Sequence, residues 1–181
     1  KQSALMLGYA LSASSVAAIM SGCKADPKVV DNSLSSWTPE YLSKEDGQII
    51  AHLAECILPK TDTPGAIDTG VHSFIDLTLK NHSKEKDQTD FNSGLNQFKG
   101  AFLKAKNVSF DKANEAARIA FLTTFEKDQK PGSFWYKMKE WTVAGFCSSE
   151  EGAKQVLKYL PIPGEYKACI PYEEVGGTWA L

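Results

Sequence analysis

The chain has 181 residues, is 43% hydrophobic and 23% charged, and carries a formal net charge of −2. That is length enough for one ordinary domain and too apolar a composition for a disordered chain. Arg118 is the lone arginine among twenty basic residues, and without a basic excess the electrostatic footprint of a nucleic-acid binder is excluded.

Residues 4–20, ALMLGYALSASSVAAIM, run without a charge and are rich in Ala, Ser and Gly. Lys1 precedes them and Ser21, Gly22 and Cys23 follow. This is the basic, apolar, small-residue order of an export signal; a buried core helix is the competing reading. The run is short for a membrane span, which takes ~20 strongly apolar residues. IMSGC resembles a bacterial lipobox, with Met20 where Leu is usual, and this makes Cys23 the lipidation candidate. The opening KQSALMLG resembles the part of a twin-arginine signal that follows its arginines, and a weakly apolar run suits that route, which exports folded proteins. The expected organisation is an export signal over 1–22, a polar tether over 23–42 and a helical domain over 43–181. The expected location is the periplasm or envelope, with Cys23 as a membrane tether. Cys56, Cys147 and Cys169 then remain in an oxidising compartment. Two readings stand for them: a Cys56–Cys169 disulfide that staples the tail, or three buried free thiols.

Ser43 opens SKEDGQIIAHLAECIL, with Asp46 three residues on as in a capping box. Ile49, Ile50, Leu53, Ile57 and Leu58 follow at helical spacing, and Pro59 stops the helix. A stiff corner, Pro59 to Gly65, leads to a short second helix marked by Val71, Phe74, Ile75, Thr78 and Leu79. The polar run NHSKEKDQTD reads as a connection to a third helix, with Phe91, Leu95, Phe98 and Phe102 on one face. Ser109 or Asp111 is expected to cap a fourth, striped by Phe110, Ala113, Ala117, Phe121 and Phe125. Lys130–Gly132 breaks the chain. A fifth helix carries Phe134, Met138, Trp141 and Gly145, with Trp135 beside them, and a sixth is expected from Ser148 or Ser149. From Pro161 onward no period survives; the stretch has three prolines and three glycines and is too aromatic for a free tail. The fold class is all-α, a compact bundle of about five or six helices with an irregular Pro/Gly/aromatic-rich C-terminal arm, preceded by the signal helix.

Chemistry is sparse. His52, His72 and His82 make no H-E-x-x-H, and the ten-residue gap between His72 and His82 is off one helical face, so no metal site is expected. Ser148 and Ser149 lack a G-x-S-x-G surround and read as helix caps. Glu150 with Glu151 and Glu173 with Glu174 are neighbours on their elements and point apart. No Gly-rich nucleotide cradle is present, and no catalytic or cofactor-binding residue is assigned.

Two stretches resemble the gluconate 2-dehydrogenase subunit 3 family. ILPKTDTPGAIDTGVHSFID is similar to its N-terminal signature. FWYKMKEWTVAGFCSSEEGAKQVLKYLPIPGEYKACIP is similar to its C-terminal one, with Cys147 in place of an aromatic residue. The two anchor most of the chain from about Ser43 to Trp179. The resemblance implies a small, exported, non-catalytic subunit beside a large FAD-containing dehydrogenase of the glucose–methanol–choline type, often with a cytochrome c. It further implies a role in the folding, stability or twin-arginine export of that flavoprotein, and no cofactor in this chain. On this reading the interface candidates are Thr61, Asp62, Thr63, Pro64 and Gly65 at the corner; Trp135 and Trp141 on the aromatic helix; and Pro163, Gly164, Tyr166, Tyr172 and Trp179 in the arm. The plainer reading of the corner is a stiff interhelical turn, and of the two helix tryptophans, ordinary core. The rival function is a stand-alone envelope lipoprotein that binds a ligand or acts as a scaffold.

Overall fold

A computed structural model describes residues 33–162, 164–165 and 167–180. The expected export signal, Cys23, the first part of the expected tether, Pro163 and Tyr166 lie outside the described residues.

The first helix, α1 (Lys44–Ile57), begins where the sequence places it. The Ser43 hydroxyl accepts a hydrogen bond from the Asp46 amide, and Ser43 also donates to the Asp46 carboxylate. A cap of this kind stabilises a helix by ~1 kcal/mol. Ile49, Ile50, Leu53 and Ala54 face inward and are buried. Helix α2 (Val71–His82) starts from Gly70, whose backbone is left-handed. Its buried face is Val71, His72, Ile75, Asp76 and Leu79. Phe74 and Thr78, expected on that face, are only half-buried.

Helix α3 (Glu85–Lys106) reaches back into the polar run that reads as a linker, beginning six residues before Phe91. Its first turns are solvated and gain from the acidic Glu85 and Asp87 near the N-terminus. The expected stripe then holds: Phe91, Leu95, Phe98 and Phe102 are all buried. The fourth segment differs from expectation. Phe110–Lys112 is a separate 3-10 turn. Helix α4 (Glu115–Phe125) starts after it, capped by Asn114, whose side chain accepts from the Ala117 amide. Neither Ser109 nor Asp111 is that cap; Ser109 donates to Asp111, and Arg118 ties down the carbonyls of Phe110 and Asp111.

Helix α5 (Phe134–Ser148) buries Trp135, Met138, Thr142, Gly145 and Phe146, and packs most extensively on α2. Beyond it the expected sixth helix is short: a helical stretch opens after Ser149 and ends in a five-residue π-type turn, Gly152–Val156. Ser149 tightens the junction by donating to the Phe146 carbonyl and accepting from the Gly152 amide. A last helical turn, α6 (Tyr172–Val175), lies in the arm.

The core is an aromatic cluster centred on Phe98, whose ring lies 5.1 Å from Phe110, 5.9 Å from Phe121, 5.4 Å from Phe125 and 5.9 Å from Phe134. Most of these pairs meet edge to face, the arrangement that ring quadrupoles favour. Cys56, Cys147 and Cys169 are free, so the Cys56–Cys169 bridge is not made in this structure. Cys56 is half-buried on α1, whereas Cys169 is exposed in the arm. The arm is held instead by the backbone pairing described below.

Candidate docking site

The corner between α1 and α2 is built around a carboxylate that the sequence reading passed over. Glu55 accepts from the Lys60 amide through one oxygen (2.9 Å) and from the Ile67 amide through the other (2.8 Å). An acid in the last turn of a helix opposes the macrodipole, so its presence there was itself a signal that it has partners beyond the helix. Gly65 is buried against this clamp: a Cβ there would lie 2.6 Å from the Lys60 nitrogen and 2.8 Å from Glu55 Oε2. The Gly65 amide donates to Asp68, and Lys60 pairs with the same carboxylate at 2.9 Å. That contact holds Asp68 below the usual carboxylate range. Thr61 and Thr63 bond each other, and the Thr61 amide donates to the Thr63 carbonyl. Thr61 and Asp62 are exposed, Thr63 and Pro64 half-buried. The corner is therefore a self-satisfied turn with a small exposed tip.

The two tryptophans of α5 are not free. Trp135 is 4% exposed and belongs to the core. Trp141 is half-buried, stacked on Phe91 at 5.3 Å, with the Lys137 ammonium 5.4 Å from its ring centre. Beside Trp135 runs a groove of ≈ 380 Å³ lined by Cys56, Ile57, Ile119, Leu122, Trp135 and Val143, with Lys139 and Glu126 at its edge. Burial pushes the Cys56 thiol up to about 11, so it stays protonated and poorly nucleophilic.

The arm has a definite geometry. The Lys158 amide donates to the Thr178 carbonyl (2.8 Å), and the Lys158 carbonyl accepts from the Ala180 amide (3.0 Å). The Lys158 ammonium bonds the Val175 carbonyl at 2.6 Å and sits 4.5 Å from the Trp179 ring centre. Lys158 thus closes residues 159–177 into a loop pinned at its neck. Gly164 and Tyr172 are exposed on that loop, and Trp179, 43% exposed, stands at its neck.

A third feature precedes α1. The stretch 37–42, expected to be tether, is docked as a strap. Buried Asp76 accepts from the amides of Glu40 (2.6 Å), Tyr41 (3.2 Å) and Leu42 (2.8 Å). Trp37 lies edge to face with His72, ring centres 4.6 Å apart. The sequence held a signal here too: His72 and Asp76 are polar residues at i and i+4 on a face that also carries Ile75 and Leu79.

Among the described residues no group of three His, Cys, Asp or Glu side chains is placed to hold a metal ion, and no helix is long and apolar enough to cross a membrane. A family model described as gluconate 2-dehydrogenase subunit 3 matches residues 44–164. The match opens at the first residue of α1 and ends within the pinned loop, short of Trp179. No curated protein and no solved structure matches the chain.

Proposed function

The chain belongs to the gluconate 2-dehydrogenase subunit 3 family, and from that premise we propose that it is the small accessory subunit of an exported, FAD-dependent sugar dehydrogenase. In this reading a large flavoprotein of the glucose–methanol–choline type holds the FAD and oxidises a sugar, a glucoside or a sugar acid. A cytochrome c accepts the electrons. The small subunit carries no cofactor and does no chemistry. It assists the folding, stability and twin-arginine export of the flavoprotein, and works in the periplasm with Cys23 as a membrane tether.

The observation that carries this reading is where the apolar surface lies. Of the twelve large hydrophobic side chains exposed among the described residues, seven fall between Val156 and Trp179. Ile162 is 81% exposed and Tyr172 74%. Exposed apolar side chains concentrated in one segment of the chain support a surface that a partner covers. The Lys158 neck orders the loop before binding, which lowers the entropy cost of docking. Binding the folded flavoprotein and not its unfolded chain then stabilises it by mass action, by ~2.7 kcal/mol at a hundred times the dissociation constant.

The test is isolation at natural abundance from the native host in mild detergent, with mass spectrometry of whatever accompanies the protein. A yellow flavoprotein in fixed ratio supports the proposal. A protein that comes off alone overturns it in favour of a stand-alone envelope lipoprotein.

A further inference from the structure

We propose that the strap over residues 37–42 is an acid-sensitive latch, with His72 as the sensor and the Asp76 carboxylate as the catch.

His72 is fully buried, and neither ring nitrogen has a hydrogen-bond partner. Its ring is covered edge to face by Trp37. Trp37 can approach because α1 presents Gly47 to it: a Cβ there would lie 2.7 Å from Trp37 Cζ3 and 2.9 Å from Pro39 Cγ. One turn along α2 from His72, Asp76 takes up the three successive strap amides. An imidazolium has two N–H donors. In the closed latch neither has an acceptor, so charging the ring demands that water reach it. The side chain that covers the ring belongs to the strap, which lies outside the helices, ahead of α1, and is anchored to the core through Leu42.

The charged groups around the latch have other partners. Glu40 on the strap pairs with Lys80 on α2 at 2.7 Å, and Asp46 on α1 pairs with Lys99 on α3 at 2.6 Å. From α3, the Asn92 amide group donates to the Tyr41 hydroxyl. Burial alone lowers His72 from 6.5 to about 4, with no charged side chain contributing. The closed state therefore binds fewer protons than an open one in which the ring is wet. Closure is fully favoured above about pH 6.5 and weakens as pH falls toward 4. Linkage between those two values makes the open-to-closed ratio about 30-fold larger at pH 5 than at pH 7.5. Opening frees six residues, up to ~20 Å of extended chain, between the helical domain and the segment before it.

The experiment is amide hydrogen exchange of the full chain at pH 7.5, 6 and 5, corrected for intrinsic rates and read at the Glu40, Tyr41 and Leu42 amides that Asp76 holds. The expected result is a fall in protection of about 30-fold across that range, with the α3 amides unchanged. His72→Phe keeps an aromatic ring against Trp37 and cannot be charged, so its strap protection should be flat with pH. Should that variant fold poorly, His72→Gln serves the same purpose. A wild-type strap with flat protection overturns the proposal. So does a His72 variant whose strap opens with acid as the wild type does, because a group other than His72 would then be the sensor.

Discussion

Glu55 shows how one side chain sets a local structure. Its two oxygens hold amides that a proline-rich turn would otherwise leave without helix or sheet partners. Glu55→Ala strips both acceptors while the Ile67 amide stays partly buried, and should destabilise the domain by ~1–3 kcal/mol in urea titration. A change below 0.5 kcal/mol would mean that water replaces the carboxylate without cost. Cysteine reactivity offers a second residue-scale check. Cys169 is exposed, while Cys56 is half-buried with its thiol pushed up to about 11. Brief alkylation at pH 8 followed by peptide mapping should label Cys169 at least tenfold faster than Cys56, because the thiolate is the reactive form. Failure of both to label until a reductant is added would instead establish the bridge between them.

At the scale of elements, the parts legible in the sequence are those where one local rule suffices. The Ser43 cap, the stop before Pro59 and the phenylalanine stripe of α3 each depend on spacing along a single helix, and each is found as expected. What was hidden depends on contacts between segments far apart in sequence. Asp76 reads as one acid on a short helix until residues 40–42 come to it, 34 to 36 positions away. The prolines and threonines mark the corner as a stiff turn, as expected, whereas the residue that organises it, Glu55, lies outside that run. Phe110 was read into α4 by its spacing, although Asn114 and the Arg118 contacts make it a separate turn packed on Phe98 and Phe102. Two substitutions separate these contributions. Phe98→Ala empties the middle of the aromatic cluster and should cost ~3–5 kcal/mol. Asn114→Ala removes only a cap and should cost ~1 kcal/mol. Chemical denaturation that gave the two variants equal losses would show that the cluster relaxes around the cavity.

At the largest scale, the described residues divide into a helical core and a C-terminal loop with surplus exposed apolar side chains. The family match covers the core and ends at residue 164, while Tyr172 and Trp179 lie past it. Docking through the loop makes a prediction that folding alone does not. Truncating an exposed side chain changes the stability of a free protein by only about 0.5 kcal/mol or less. The same truncation at the centre of an interface costs more than ~1 kcal/mol, roughly fivefold or more in affinity. If the proposed flavoprotein docks on the loop, Tyr172→Ala should leave the melting temperature of the isolated protein within about a degree or two, yet weaken binding to that proposed subunit more than about fivefold. Lys158→Met tests preorganisation separately. It removes the ammonium that bonds the Val175 carbonyl and covers Trp179, so hydrogen exchange in residues 159–177 should quicken and affinity should fall although no docking side chain is lost. Calorimetric affinities unchanged in both variants would move the docking surface off the loop, and the groove beside Trp135 would be the next face to probe.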